Sequence, residues 1–171
     1  MGFTEAVKTC LGKYAVFSGR ATRSEYWWFV LAVILVGIVL AIIDSVIFGV
    51  DPETGKASGI LNPVFQLAML LPMLAAGWRR LHDTGRPGWY LLLPMALNVV
   101  TMIMLFTGIA VFSVLERGVD DPDVLRGPAA ILGTTGVLVV FVLQVALTIL
   151  MIWWLTRPSE EGTNKFGPPV A

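Results

Sequence analysis

Apolar positions dominate four long stretches of the chain, and the polar residues collect between them. The stretches run from Trp27 to Phe48, from Pro63 to about Trp78 or a turn beyond, from Trp89 to about Leu115, and from about Pro128 to Leu155. A helix needs about 20 apolar residues to cross the hydrocarbon core, and each stretch is long enough. Periodicity adds little, because a helix between lipid and protein can be apolar all round. The boundaries carry helix-start chemistry. Thr22 to Glu25 reads as a capping box, with Thr22 as N-cap and Glu25 reaching back. Asn62-Pro63 reads as an N-cap followed by proline at the first helical position. Pro128 is expected to open the fourth span in the same way, and Pro158 to stop it. Pro72 falls inside the second span and should kink it, which a membrane helix tolerates if a neighbour satisfies the freed carbonyl. Ahead of the first span, Phe3, Ala6, Val7, Cys10, Leu11, Tyr14 and Phe17 recur at helical spacing. They predict a short amphipathic helix that lies either on the membrane surface or on the bundle. The fold class is therefore an all-α integral membrane protein, one domain over residues 1–171. Its four transmembrane helices form two hairpins (about 27–48, 63–82, 89–115 and 128–155), preceded by the amphipathic helix and followed by an irregular tail over 157–171. Phe166 could dock that tail on the bundle.

Composition agrees with the pattern. The 171 residues are 56% hydrophobic and 14% charged, with a mean hydropathy of +0.78. A soluble domain is about 45–50% apolar and about 25% charged. The first span begins late and has no small-residue cleavage site after it, so it is expected to stay in the mature chain. Cys10 stands alone, which excludes an intramolecular disulfide, and it reads as a free thiol of minor structural weight.

The net charge is zero, but its distribution is not even. Residues 1–26, 79–88 and 156–171 hold nine Lys and Arg, against three (Lys56, Arg117 and Arg126) in the two other loops. The positive-inside rule then places both termini in the cytoplasm. Trp27, Trp28, Trp78, Trp89, Tyr90, Trp153 and Trp154 form an aromatic belt at the same side.

Three polar segments stand at that side: "FSGRATRSEYWWF", "RRLHDTGRPGWY" and "GTNKFGPP". They resemble the DUF805 family of bacterial inner-membrane proteins, and the resemblance covers nearly the whole chain. It implies a four-helix cytoplasmic-membrane protein and no particular reaction.

Part of the second segment is topology and turn chemistry. Arg79, Arg80 and His82 should extend the second helix, where cations suit the negative C-terminal end. Gly85 should take the left-handed C-cap position, and Asp83 should pair with an arginine. A functional reading adds the first segment. Arg20, Arg23, Arg79, Arg80 and Arg86 face Glu25 and Asp83, with His82 beside them, and leave three positive charges over. Arginine forks match phosphate oxygens, so these five are candidates for a site that takes an anionic lipid headgroup or another anion.

Catalysis has little support. One histidine and no CxxC, GxSxG or P-loop leave no catalytic set, no metal site and no cofactor site. The expected partners are membrane lipids and a second copy or another membrane protein, with no nucleic acid. Gln66, Asn98 and Gln144 lie 12, 9 and 11 residues from the cytoplasmic span ends, roughly 14 to 18 Å deep at about 1.5 Å per residue. Interhelical hydrogen bonds are the plain reading of these amides. A polar path through a small transporter or channel is the alternative, although no charged relay accompanies it. Asp44 lies near the outer interface, where it could sit in water.

Overall fold

The computed structural model describes residues 1–51, 53, 55, 59–116 and 123–170, and the side chains of residues 110, 113–116 and 123–134 lie outside that description. Among the described residues five α-helices follow one another: α1 Phe3–Gly12, α2 Arg23–Phe48, α3 Leu61–Asp83, α4 Leu93–Glu116 and α5 Asp123–Thr156, with a 3-10 turn over Gly88–Leu92. Four helical segments, Arg23–Phe48, Leu61–Asp83, Gly88–Ile109 and Thr135–Thr156, are long and apolar enough to cross a membrane. The all-α class, the four spans and the short leading helix are as the apolar pattern predicts. Lys56, Arg117 and the greater part of the acidic loop after α4 lie outside the described residues.

The chain divides into two compact units, 1–90 with 154–171, and 91–153. In the first, α2 starts where Thr22 accepts from the Glu25 backbone N–H at 3.2 Å. Only half of the expected capping box forms. The Glu25 side chain turns away to Arg79, because a buried guanidinium is a stronger donor than a backbone amide.

The start of α3 also differs from expectation. The helix begins one residue before Asn62, with Ile60 as N-cap and no capping side chain of its own. Asp44 of α2 does the work across the helix pair. Its two carboxylate oxygens accept from Leu61 N at 3.1 Å and Asn62 N at 2.8 Å. Asp44 is buried rather than in water. A charged acceptor gains twice at this place, from the free N–H groups and from the positive end of the helix dipole. Gly59 leaves the room: a Cβ there would lie 2.2 Å from the Asp44 carboxyl.

Pro72 lies buried within α3 without ending it. It has no N–H for the Ala68 carbonyl four residues back. The Tyr14 hydroxyl, just past α1, donates to that carbonyl instead. Tyr14→Phe is expected to cost about 1 kcal/mol, the net worth of one such bond. In a Pro72→Ala background the backbone N–H at position 72 supplies the donor, and the same change should then cost nothing measurable. Detergent-denaturation midpoints of the four proteins check this.

In the second unit, α4 begins at Leu93 rather than at Trp89. Pro94 fits the first turn of a helix and is disfavoured further in, so the residues before it wind as the 3-10 turn. Helix α5 begins at Asp123, which puts Pro128 inside the helix and not at its start. It ends at Thr156, two residues before Pro158, as expected.

Candidate functional site

The polar segments of the sequence meet in the first unit, at the end where α2 begins and α3 stops. α1 lies against α2 with Ala6 and Cys10 fully buried. The tail returns past the last turn of α3, where Glu160 N donates to the Asp83 carbonyl at 2.9 Å. The tail is pinned further by Asn164, which donates to the His82 carbonyl at 3.0 Å, and by Phe166. The Phe166 ring stacks on the His82 imidazole at 3.8 Å between centroids.

The last turn of α3 closes as its residues predict. Gly85 takes φ +72, its N–H reaches the His82 carbonyl at 3.0 Å, and Arg86 N reaches Leu81 O at 3.0 Å. A Cβ on Gly85 would also stand 2.4 Å from the Glu160 carboxylate, the movable end of an exposed side chain, so glycine is required for conformation rather than for space.

The five arginines separate into two groups. Arg20, Arg79 and Arg80 are 3%, 1% and 0% exposed. Arg20 Nε pairs with Asp83 Oδ1 at 2.9 Å, and Arg80 Nη1 pairs with Asp83 Oδ2. Arg79 Nη1 pairs with Glu25 Oε1 at 2.6 Å. Three buried cations thus meet two buried carboxylates. Backbone carbonyls take the remaining positive charge. Arg80 donates to Leu155 O at 3.0 Å and to Arg157 O. Arg20 donates to Glu160 O at 2.6 Å and Gly162 O at 2.7 Å. The last carbonyls of a helix have no partner within it and carry its negative pole, so Arg80 closes α5 from another helix. His82 supports the same knot through Nδ1, 3.1 Å from Gly19 O. These three arginines are part of the packing, and none is left to face a headgroup.

Arg23 and Arg86 differ. Arg23, the first residue of α2, is exposed and forms no ion pair among the described residues. Arg86 is half-buried, donates to Thr84 O at 3.0 Å and lies 5.1 Å above the Trp154 ring. Burial, with Arg157 nearby, lowers its pKa from the ordinary arginine value. Beside Arg23 an open groove of about 620 Å³ is lined by Thr22, Arg23, Ser24, Trp27, Thr156 and Ser159. Thr22 and Ser24 share a hydrogen bond of 3.1 Å. The Trp27 indole N–H points to Leu155 O at 3.3 Å, the carbonyl that Arg80 also holds.

Sequence reasoning named Thr22 only as a cap and missed Ser24, Thr156 and Ser159. Single hydroxyls on separate segments give no pattern in sequence. Cys10 also departs from expectation. Its thiol lies 3.7 Å from Glu25 Oε1 in the α1–α2 contact, because it shares the Ala6 face. Burial, then the Glu25 charge, pushes it up to about 11, so it stays protonated at neutral pH. Trp78 packs edge-on against Phe17 and His82, more a part of the knot than of an exposed belt.

Two of the three amides at membrane depth bond within their own helix. Gln66 donates to Asn62 at 3.4 Å and Asn98 donates to Pro94 O at 2.9 Å, each within its own helix. Both are exposed, and a side-chain amide can turn to its own helix in this way. Gln144 is half-buried, and its Oε1 has no partner among the described residues.

Comparison with known proteins places these observations in a family context. A family model described as "Protein of unknown function (DUF805)" matches residues 14–168. The Escherichia coli K12 inner membrane protein YhaH is 41% identical over 83 residues, which cover 48% of this chain and 66% of that protein. The K12 inner membrane protein YhaI is 41% identical over 83 residues, 48% of this chain and 64% of its own length. The chain thus spans just under two thirds of either relative. No solved structure matches.

Proposed function

This chain belongs to the DUF805 family, and from that premise we propose that it is a non-enzymatic, multi-pass inner-membrane protein whose arginine face binds the phosphate of an anionic lipid headgroup. The reading puts both termini and the groove beside Arg23 on the cytoplasmic side. The nine-to-three distribution of Lys and Arg supports that orientation. The observation that carries the binding is the groove itself. An exposed arginine stands at the N-terminus of a 26-residue helix, with Thr22, Ser24 and Ser159 hydroxyls around it. Free N–H groups, the positive helix pole and a guanidinium all favour phosphate oxygens. Trp27 adds an aromatic ring of the kind found at headgroup level.

The five-arginine site expected from the sequence narrows to Arg23, with Arg86 as a second, half-buried cation. Arg80 contributes by fixing a groove wall, since it holds the carbonyls on either side of Thr156. No observation on Gln66, Asn98 or Gln144 favours transport.

Thermal unfolding in mild detergent tests the proposal. Phosphatidylglycerol at about 100 times its dissociation constant should stabilise the wild type by about 2.7 kcal/mol. Arg23→Gln removes a charge-assisted contact worth about 1.5–3 kcal/mol, so its affinity should fall roughly tenfold or more. Phosphatidylcholine should stabilise neither. The same phosphatidylglycerol shift in both proteins would sink the proposal.

A further inference from the structure

We infer that α1 is an interfacial lipid-binding helix, seated on the bundle by one flank and in the headgroup and acyl boundary of the membrane by the adjacent one. The order of residues around the helix carries the inference. At about 100° per residue, Ala6 and Cys10 share one face. Both are fully buried against α2. Phe3, Val7 and Leu11 follow over roughly the next 80° of the circumference. Phe3 and Leu11 are exposed and Val7 is half-buried. Beyond them come Thr4, Lys8 and Glu5, all exposed. Protein, apolar surface and polar surface thus succeed one another round a single helix. A helix wholly on the bundle has no use for the middle sector. A helix in water would expose that sector at a cost.

Two contacts and the position of a lysine tie the middle sector to lipid rather than to another protein. The Phe3 ring lies edge-on to Trp28 at 5.9 Å, and Trp28 is an exposed residue in the first turns of a membrane span. The apolar flank of α1 is therefore continuous with the lipid-facing wall of α2. Tyr14, exposed and just past the C-terminal end of α1, donates to the Ala68 carbonyl. Ala68 lies four residues inside Pro72 in a second span, so this end of the segment reaches hydrocarbon depth. Lys8 stands at the polar edge of the apolar sector, where a lysine can lay its stem on apolar surface and keep its ammonium among phosphates. The partner of this surface is the lipid leaflet, with an anionic fraction favoured by Lys8. The inference does not depend on the Arg23 groove.

Spin-label accessibility in nanodiscs of phosphatidylcholine and phosphatidylglycerol tests it. The labels go on Phe3→Cys, Leu11→Cys and Glu5→Cys, each in a Cys10→Ala background whose helix content and elution match the wild type. Labels at positions 3 and 11 should relax with oxygen and resist a water-soluble nickel chelate, and the label at position 5 should show the reverse. Nickel access at positions 3 and 11 equal to that at position 5 would put the flank in water and overturn the inference. Exclusion of both reagents at positions 3 and 11 would put it against a protein and overturn it as well. Two labelled positions on one flank keep the test decisive if either variant fails to fold.

Discussion

Asp83→Ala will cost the first unit about 3–5 kcal/mol, the penalty for removing one partner of a buried ion pair. Such a loss is a large fraction of a typical domain's stability of about 5–15 kcal/mol. The reason is local. Among the described residues Asp83 is the sole carboxylate paired with two buried guanidiniums, Arg20 and Arg80, and its backbone carbonyl also accepts from the tail at Glu160 N. Without the carboxylate, two cations remain at 3% and 0% exposure with only carbonyls around them. Those same cations hold Leu155 O, Arg157 O, Glu160 O and Gly162 O. The return of the tail should therefore fail together with the pair. Limited proteolysis of the tail, followed beside denaturant unfolding by far-ultraviolet circular dichroism, reads both effects. A loss below about 1 kcal/mol, in the range of an exposed pair, would show that the knot is not held as described.

Glu25→Leu should be damaging for a related reason, but reparable. Arg79 Nη1 has Glu25 as its partner, while Arg79 Nε and Nη2 and Glu25 Oε2 have none among the described residues. Removal of the carboxylate leaves a buried, unpaired guanidinium and should again cost about 3–5 kcal/mol. Replacing both partners by apolar residues of similar size is often neutral or stabilising. Glu25→Leu with Arg79→Met should therefore recover most of the loss. The Asp83 network has no such repair, because its arginines close helix and tail carbonyls that would remain. A double-mutant cycle on unfolding free energies separates the two cases. A double variant as unstable as Glu25→Leu alone would mean that the Arg79 stem is needed for something other than this pair.

Much of the architecture is legible along the chain. Apolar runs locate the spans, Thr22 starts α2, and Gly85 stops α3, because each of these is decided within one or two turns. What escapes sequence reading depends on register between helices. Asp44 caps a helix that begins 17 residues later. Tyr14 serves a carbonyl 54 residues away that Pro72 leaves without a donor. Neither pair has a sequence signature, although the proline announces that some donor is needed. The arginines show the same limit. Counting charges gives five cations against two carboxylates and suggests an open anion site. The count omits the carbonyls at the end of α5, 75 residues from Arg80, which absorb the excess. Arg23 stands out only when the burial of its neighbours is known.

Arg23 is also where the functional account is most exposed to test. Native mass spectrometry of the protein released from mild detergent, wild type beside Arg23→Gln, measures the point directly. A phosphatidylglycerol should be retained on the wild type and lost or much reduced on Arg23→Gln, with both proteins equally folded. Equal retention on the two proteins, or none on the wild type under conditions that preserve other lipid contacts, would contradict it.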